Sequence, residues 1–246
     1  MLDWLARFLG AGILLVLTHA VEGKARGPGI WWPNLRLWPF CQSEEDIRSY
    51  MLEVSERGFN HIYTGWTETQ PPLAGDGKLQ SPPGFNVNAR RHQLGRGDNI
   101  YKRAVAALQS REIISSVSWA KLATLEGDWR RWGCEGPVMC THVRCYGIFV
   151  IANPVKVAFA HWDKRMKDGG RCSSFAFSTL TGHLLAGEER FTVELAKDGS
   201  VWLDMYSVSR GAGVLGTVAF PFCRPIQKAF FTAIVRGMTQ AVEREE

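Results

Sequence analysis

Residues 177–210 read FSTLTGHLLAGEERFTVELAKDGSVWLDMYSVSR, and this stretch decides the fold. Alternating apolar and polar positions fall into three runs, residues 174–184, 189–195 and 201–209, each predicted as a strand. Asp198-Gly199 is a two-residue hairpin turn between the last two runs, and Gly182 and Gly187 bracket a looser turn between the first two. Strands joined by short turns make an antiparallel meander, the wall of a sheet. His183, Glu188 and Glu189 crowd the looser turn, with the imidazole closing one strand and the two acids opening the next. The expectation is that one carboxyl reaches the imidazole across the turn, an arrangement suited to acid–base work near neutral pH.

Working outward, strands are predicted over residues 85–94, 113–122, 137–151 and 154–162, the last two parted by an Ala152-Asn153 turn. Residues 164–171 form a polar hairpin loop ending in Gly169-Gly170. A helix begins at Ser43, an N-cap followed by Glu44, Glu45 and Asp46 at the positive end of the helix dipole, and Gly58 ends it. A second helix follows the Gly95-Arg96-Gly97 break and carries Ile100, Ala104, Ala107 and Leu108 on one face. A third spans residues 225–242, with Ile226, Phe230, Ile234, Met238 and Val242 on one stripe. The order predicts an α+β chain: a curved antiparallel sheet of about seven strands wrapped on a long C-terminal helix. That is the helix-grip plan of lipid-transfer domains, pollen-allergen-like proteins and polyketide cyclases, and it leaves room for a cavity between sheet and helix.

Composition removes several function classes. The 246 residues are 46% hydrophobic with a formal charge of +5, and the basic residues are scattered, so no nucleic-acid partner is expected. The Gly95-Arg96-Gly97 turn lacks the further glycine of a dinucleotide site and places Asp98 where a phosphate would sit, so no cofactor is expected. Cys140, His142 and Cys145 bring two thiols and an imidazole together, yet a strand would put Cys145 on the opposite face from the other two; no metal site is expected. The nucleophile elbow G-x-S-x-G is missing around Ser173, Ser174 and Ser178.

The N-terminal residues have another character. Residues 4–21 are apolar except for Arg7, Thr18 and His19, which suits a signal peptide or a membrane anchor over residues 1–23. Residues 24–42, rich in Trp and Pro, are expected to be a linker, leaving residues 43–242 for the domain. This organisation favours the secretory pathway or a membrane anchorage over the cytoplasm, with membrane association through residues 4–21.

Pro83-Gly84-Phe85 leading to LGRG at 94–97, TLTGHLLAGEERFTVEL at 179–195, DGSVWLDMYSVSR at 198–210 and FPFCRPIQKAF at 220–230 together resemble the domain-of-unknown-function 1990 family. The resemblance covers roughly residues 45–242 and implies a domain without an assigned mechanism. His183, Glu188 and Glu189 are the candidate catalytic residues, since the motif carries them. Tyr206, Arg210 and Arg96 are candidate ligand-binding groups, a hydroxyl and two cations able to orient a carboxylate or phosphate. Three readings stay open: a binding protein for a small apolar or amphipathic ligand; a cyclase, isomerase or hydrolase with His183 as base; and a membrane-associated structural subunit.

Overall fold

The computed structural model describes residues 35–37, 43–71, 79–110, 112–125, 136–145 and 149–244. Among these, eight strands form one antiparallel sheet: β1 (Leu35–Leu37), β2 (Asn86–Arg96), β3 (Ala120–Thr124), β4 (Val138–Cys145), β5 (Phe149–Arg165), β6 (Arg171–Thr179), β7 (Leu185–Leu195) and β8 (Ser200–Gly211). The spatial order is β2-β8-β7-β6-β5-β4-β3, so the first long strand returns to pair with the last, and β1 pairs separately with β5. Register shifts at Val157/Phe159 and His161/Lys164 in β5, and at Gln93/Gly95 in β2, supply the local bends a curved sheet needs.

Four helices accompany the sheet: α1 (Glu44–Arg57), α2 (Asp98–Ser110), α3 (Glu112–Ser115) and α4 (Gly213–Glu243). The start of α1 is set by a capping box, in which the Ser43 hydroxyl accepts from the Asp46 amide and the Asp46 carboxyl accepts from the Ser43 amide. Helices α2, α3 and α4 cover the concave face. There Tyr101, Leu108, Ile113, Phe175, Phe191, Leu203, Ile234 and Met238 form the main core, each side chain contributing about 1.5–3 kcal/mol on burial. The other face is covered by α1 over β4 and β5, where Ile47, Met51 and Val54 meet Cys140 and Leu180. Beside it, Tyr63, Trp66 and Phe85 pack over Tyr206 and Val208 of β8. This is the helix-grip architecture expected: a curved antiparallel sheet closed by a long terminal helix.

Several local expectations change. Residues 113–122 are not one strand, because Ile113 and Ile114 lie in a helical turn and, with Val117 just beyond it, sink into the main core, leaving only Ala120–Thr124 extended. Ala152-Asn153 makes no turn; β5 runs straight through Pro154. The Pro154 carbonyl accepts from Leu180, just past the end of the β5–β6 ladder, so the amide hydrogen that proline lacks would have pointed where no ladder bond is due. Strand β2 passes Gly95 by a bulge and ends at Arg96. Helix α4 starts at Gly213 and contains Pro221 and Pro225. Both prolines are exposed, so water can meet the carbonyls they leave free. Within the stretch expected to be a linker, residues 35–37 add a strand to the sheet. The apolar segment 4–21 lies outside the described residues; among the described residues no helix is long and apolar enough to cross a membrane.

Candidate functional site

The concave face and α4 do not meet everywhere. Between them lies a cavity of about 160 Å³, walled by Val155 and Phe177 of the sheet, Ile114 of α3, Trp119, and Ile226 and Phe230 of α4. A polar corner interrupts this apolar wall at Glu189, Ser207, Ser209, Gln227 and His183, and Thr141 of β4 and Asn153 of β5 also line the cavity.

Strand alternation decides which side chains reach it. In β7 the residues Gly187, Glu189, Phe191 and Val193 face the helices, and Glu188, Arg190, Thr192 and Glu194 face the other way. Glu189 pairs across the ladders with Phe177 on one side and Ser207 on the other, so an acid stands between an aromatic ring and a hydroxyl. Among the described residues Glu189 makes no hydrogen bond or ion pair, and burial pushes its carboxyl up to about 8. It keeps some accessible surface, and that surface opens on the cavity it lines. At neutral pH it is therefore an uncharged acid, able to donate one hydrogen bond into the cavity. Ser207 is 2% exposed and is likewise without a hydrogen-bond partner among the described residues. Ser209 differs, since it accepts from the Gln227 amide of α4 at 3.1 Å.

His183 sits in the turn that joins β6 to β7, where Gly182 takes a left-handed φ of 100° that a side chain would resist. Its Nδ1 accepts from the Leu185 amide at 2.9 Å, which leaves the ring proton on Nε2. Burial pushes this imidazole down to about 3, with the nearby His61 adding in the same direction. A ring of that kind is neutral across the physiological range and a weak base.

Glu188 has the opposite surroundings. Its Oε1 accepts from the Thr67 amide at 2.8 Å and the Thr67 hydroxyl at 2.6 Å; its Oε2 accepts from the Gly65 amide at 2.6 Å and the Ser178 hydroxyl at 3.2 Å. All four donors lie on the outer face, and three belong to the 3₁₀ turn Trp66–Thr69 and its entry. Arg190, two residues along, holds the other end of that turn by donating to the carbonyls of Thr67, Gln70 and Pro71. The pair clamps the outer loop on the sheet. His183 and Glu188 are thus not joined, because the turn closes at residues 180–184 and places both acids inside β7 rather than at its opening. Ser178 lies 3.1 Å from His61 Nε2 and donates to Glu188, which places the hydroxyl between acid and imidazole. In a nucleophilic triad the imidazole stands between the other two, and Ser178 is fully buried besides.

Neither do the remaining candidates meet the cavity. Tyr206 is fully buried on the outer face, donates to the Gln80 carbonyl and lies under the Arg190 guanidinium. The Arg210 guanidinium stacks at 4.9 Å over Phe85. Arg96 is exposed at the far hairpin, where it donates to the Asp198 carbonyl at 2.5 Å. Cys140 is buried under α1, and burial pushes its thiol up to about 12. Of the six residues singled out in the sequence, only Glu189 and His183 present their side chains to one cavity.

The family model for the domain of unknown function DUF1990 matches residues 70–237. The chain belongs to this family. A UPF0548 protein of Arabidopsis thaliana is 28% identical over 151 residues, covering 60% of this chain and 68% of that protein. A UPF0548 protein of Dictyostelium discoideum is 25% identical over 221 residues, covering 82% of this chain and 95% of the other. Among solved structures, a hypothetical protein from Helicobacter pylori is similar with a TM-score of 0.48 and 11% identity, over 70% of this chain and 99% of that one. The matched region of this DUF1990 chain contains all of β2 to β8 and most of α4, and so every residue of the polar corner. Sequence reasoning missed Ser207 and Gln227. Ser207 had a signal: it shares strand parity with Leu203 and Met205, and a small hydroxyl on an otherwise bulky inner face leaves space above it. His61 and Thr67 had none, since residues 59–67 carry no periodic pattern.

Proposed function

We propose that this DUF1990 domain binds a small, mainly apolar molecule in the cavity between the sheet and α4. The observation that carries the reading is the cavity itself, an apolar chamber with one polar corner at Glu189 and Ser207. Its size limits the occupant. Cavities of roughly 150 Å³ accept benzene, whereas drug-sized ligands need roughly 300–1,000 Å³. At about 160 Å³ the chamber suits a molecule of one ring. Binding is favoured over catalysis by the state of the two titratable groups that reach the space. His183 is too weak a base to take a proton from carbon, and Glu189 stands without a partner to set its direction.

Toluene and benzyl alcohol titrated into the purified protein test the reading, with NMR line positions of the cavity methyl groups and the melting temperature as readouts. The expected result is saturable shifts at Ile114, Val155 and Ile226 and a rise in Tm, both lost in Ile226→Trp, whose larger side chain occupies the space. Absence of any shift in a folded wild-type sample overturns it.

A further inference from the structure

Resting on that reading, we infer that the cavity's own ligand is a small organic amine, bound as an ammonium ion beside Glu189 with its hydrocarbon part against the aromatic wall. Charge is the first argument. Among the described lining residues there is no Lys or Arg, and Glu188 directs its carboxyl to the opposite face. An anionic ligand would find no counter-charge among the described lining residues, and removing an unpaired charge from water is costly. A cation would find one acid, and that acid is free of competing partners among the described residues.

The wall supplies the second argument. Phe177 stands beside Glu189 across the β6–β7 ladder, and Trp119 and Phe230 meet edge to face at 6.1 Å on the opposite side. Aromatic faces attract ammonium groups, the more so away from water. The third argument is hydrogen bonding. An ammonium ion has three donors, and the corner offers the carboxyl of Glu189 and the unpartnered hydroxyl of Ser207, both able to accept.

The proton balance follows from the surroundings of Glu189. The titratable groups that share its chamber are His183 from the β6–β7 turn and Cys223 from α4, one pushed down to about 3 and the other up to about 11, so both are uncharged near pH 7. Two cations on neighbouring elements are engaged elsewhere, Arg90 of β2 donating to Thr232 and Arg224 of α4 donating to Asn86, and Lys228 of α4 is exposed to solvent. Glu189, raised to about 8, enters as the neutral acid, so binding an ammonium ion releases one proton to solvent. Affinity for an amine then rises with pH until Glu189 is already ionised in the free protein. From pH 6 to pH 8 this amounts to roughly 50-fold by linkage.

Calorimetric titration with three probes of one shape, benzylamine, benzyl alcohol and benzoate, at pH 6 and pH 8 is the test. Benzylamine is expected to bind most tightly at pH 8, to gain roughly 50-fold from pH 6, and to release about one proton per molecule at pH 6 and about half a proton at pH 8, as judged in buffers of different ionisation enthalpy. Benzyl alcohol is expected to show no such gain. Glu189→Gln is expected to abolish the pH dependence and the preference for the amine. The wild-type pH series stands without the variant should Glu189→Gln misfold. If benzyl alcohol or benzoate binds as tightly as benzylamine at pH 8, the amine is wrong and the cavity reading stands. If none of the three binds, the cavity reading falls and the amine with it.

Discussion

Glu188 and Glu189 are neighbours in the chain and opposites in the molecule. One accepts four hydrogen bonds and fastens a loop; the other accepts none among the described residues and faces a cavity. The single cause is the pleat of β7, which sends successive side chains to opposite faces. The outer face is polar and largely paired, with Arg190 bonded to three carbonyls and Arg91 paired to Glu194 and Asp204, while Arg190 Nε and Thr192 Oγ1 are buried without a partner among the described residues. Toward the helices the face is apolar and, at Glu189 and Ser207, left unsatisfied. A satisfied buried acid is a structural device, and an unsatisfied one is what a binding site needs before its ligand arrives.

The comparison breaks most sharply at Glu188. Glu188→Gln turns one of its acceptor oxygens into an amide that faces existing donors, stranding at least one buried N–H or O–H. A loss of about 3 kcal/mol is expected, read from the midpoint of urea unfolding. The outer loop should loosen first, with faster amide exchange at Gly65 and Thr67. An unchanged midpoint would mean that the four bonds do not hold the loop.

The same change one residue along should do the reverse. Glu189 is raised to about 8 from the ordinary carboxyl value, so the folded state holds a proton that the unfolded state has released throughout the interval between. Stability from this group is full below about 4.5 and declines as pH rises toward 8. His183, lowered to about 3, acts oppositely: the unfolded chain binds a proton that the fold refuses, so stability falls as pH drops from 6.5 toward 3. Between about 4.5 and 6.5 the two slopes offset each other, and the curve is expected to be flat there. From pH 6.5 to 8 Glu189 acts without that offset, and a decline of about 2 kcal/mol is expected, absent in Glu189→Gln. His183→Asn, whose Oδ1 can still accept from Leu185, should soften the acid limb by up to about 2 kcal/mol and leave the alkaline one alone. A wild-type protein whose stability climbs from pH 6.5 to 8 would place Glu189 in wetter surroundings than these.

How far the sequence could be read follows the same division. The meander, the Ser43 cap and the apolar stripe of α4 were legible because each is a local pattern with a period or a turn residue behind it. The separation of Glu188 from Glu189 was legible in principle by parity, but the position of the β6–β7 turn hid it. Gly187 looked like a turn residue and is in fact a strand residue, whose missing side chain lets the Val208 carbonyl approach closely. Thr67 and Gly65, which decide what Glu188 does, come from a loop more than a hundred residues away and have no signature of their own. The helical turn at Ile113 escaped because a short apolar run fits a strand or a turn of helix equally well, and packing under α4 made the choice.

Arg96 marks the quiet end of the comparison. As a cation in a glycine turn it invites a ligand role, yet it lies outside both faces of β7, at the 196–199 hairpin, with well over half of its side chain in water. Its guanidinium donates to the Asp198 carbonyl and stands 3.8 Å from the Asp198 carboxyl, a pair screened by solvent on most sides. Exposed pairs of this kind contribute about 0.2–1 kcal/mol, and the turn they flank is already fixed by Gly199 at a φ of 83° and by the Ser200 amide bonded to Asp198. Arg96→Ala should therefore shift the urea midpoint by less than about 0.5 kcal/mol and leave the binding of every cavity probe untouched. A probe affinity that changed with Arg96 would mean that the ligand reaches the hairpin end of β2, and the cavity would then be only part of the site.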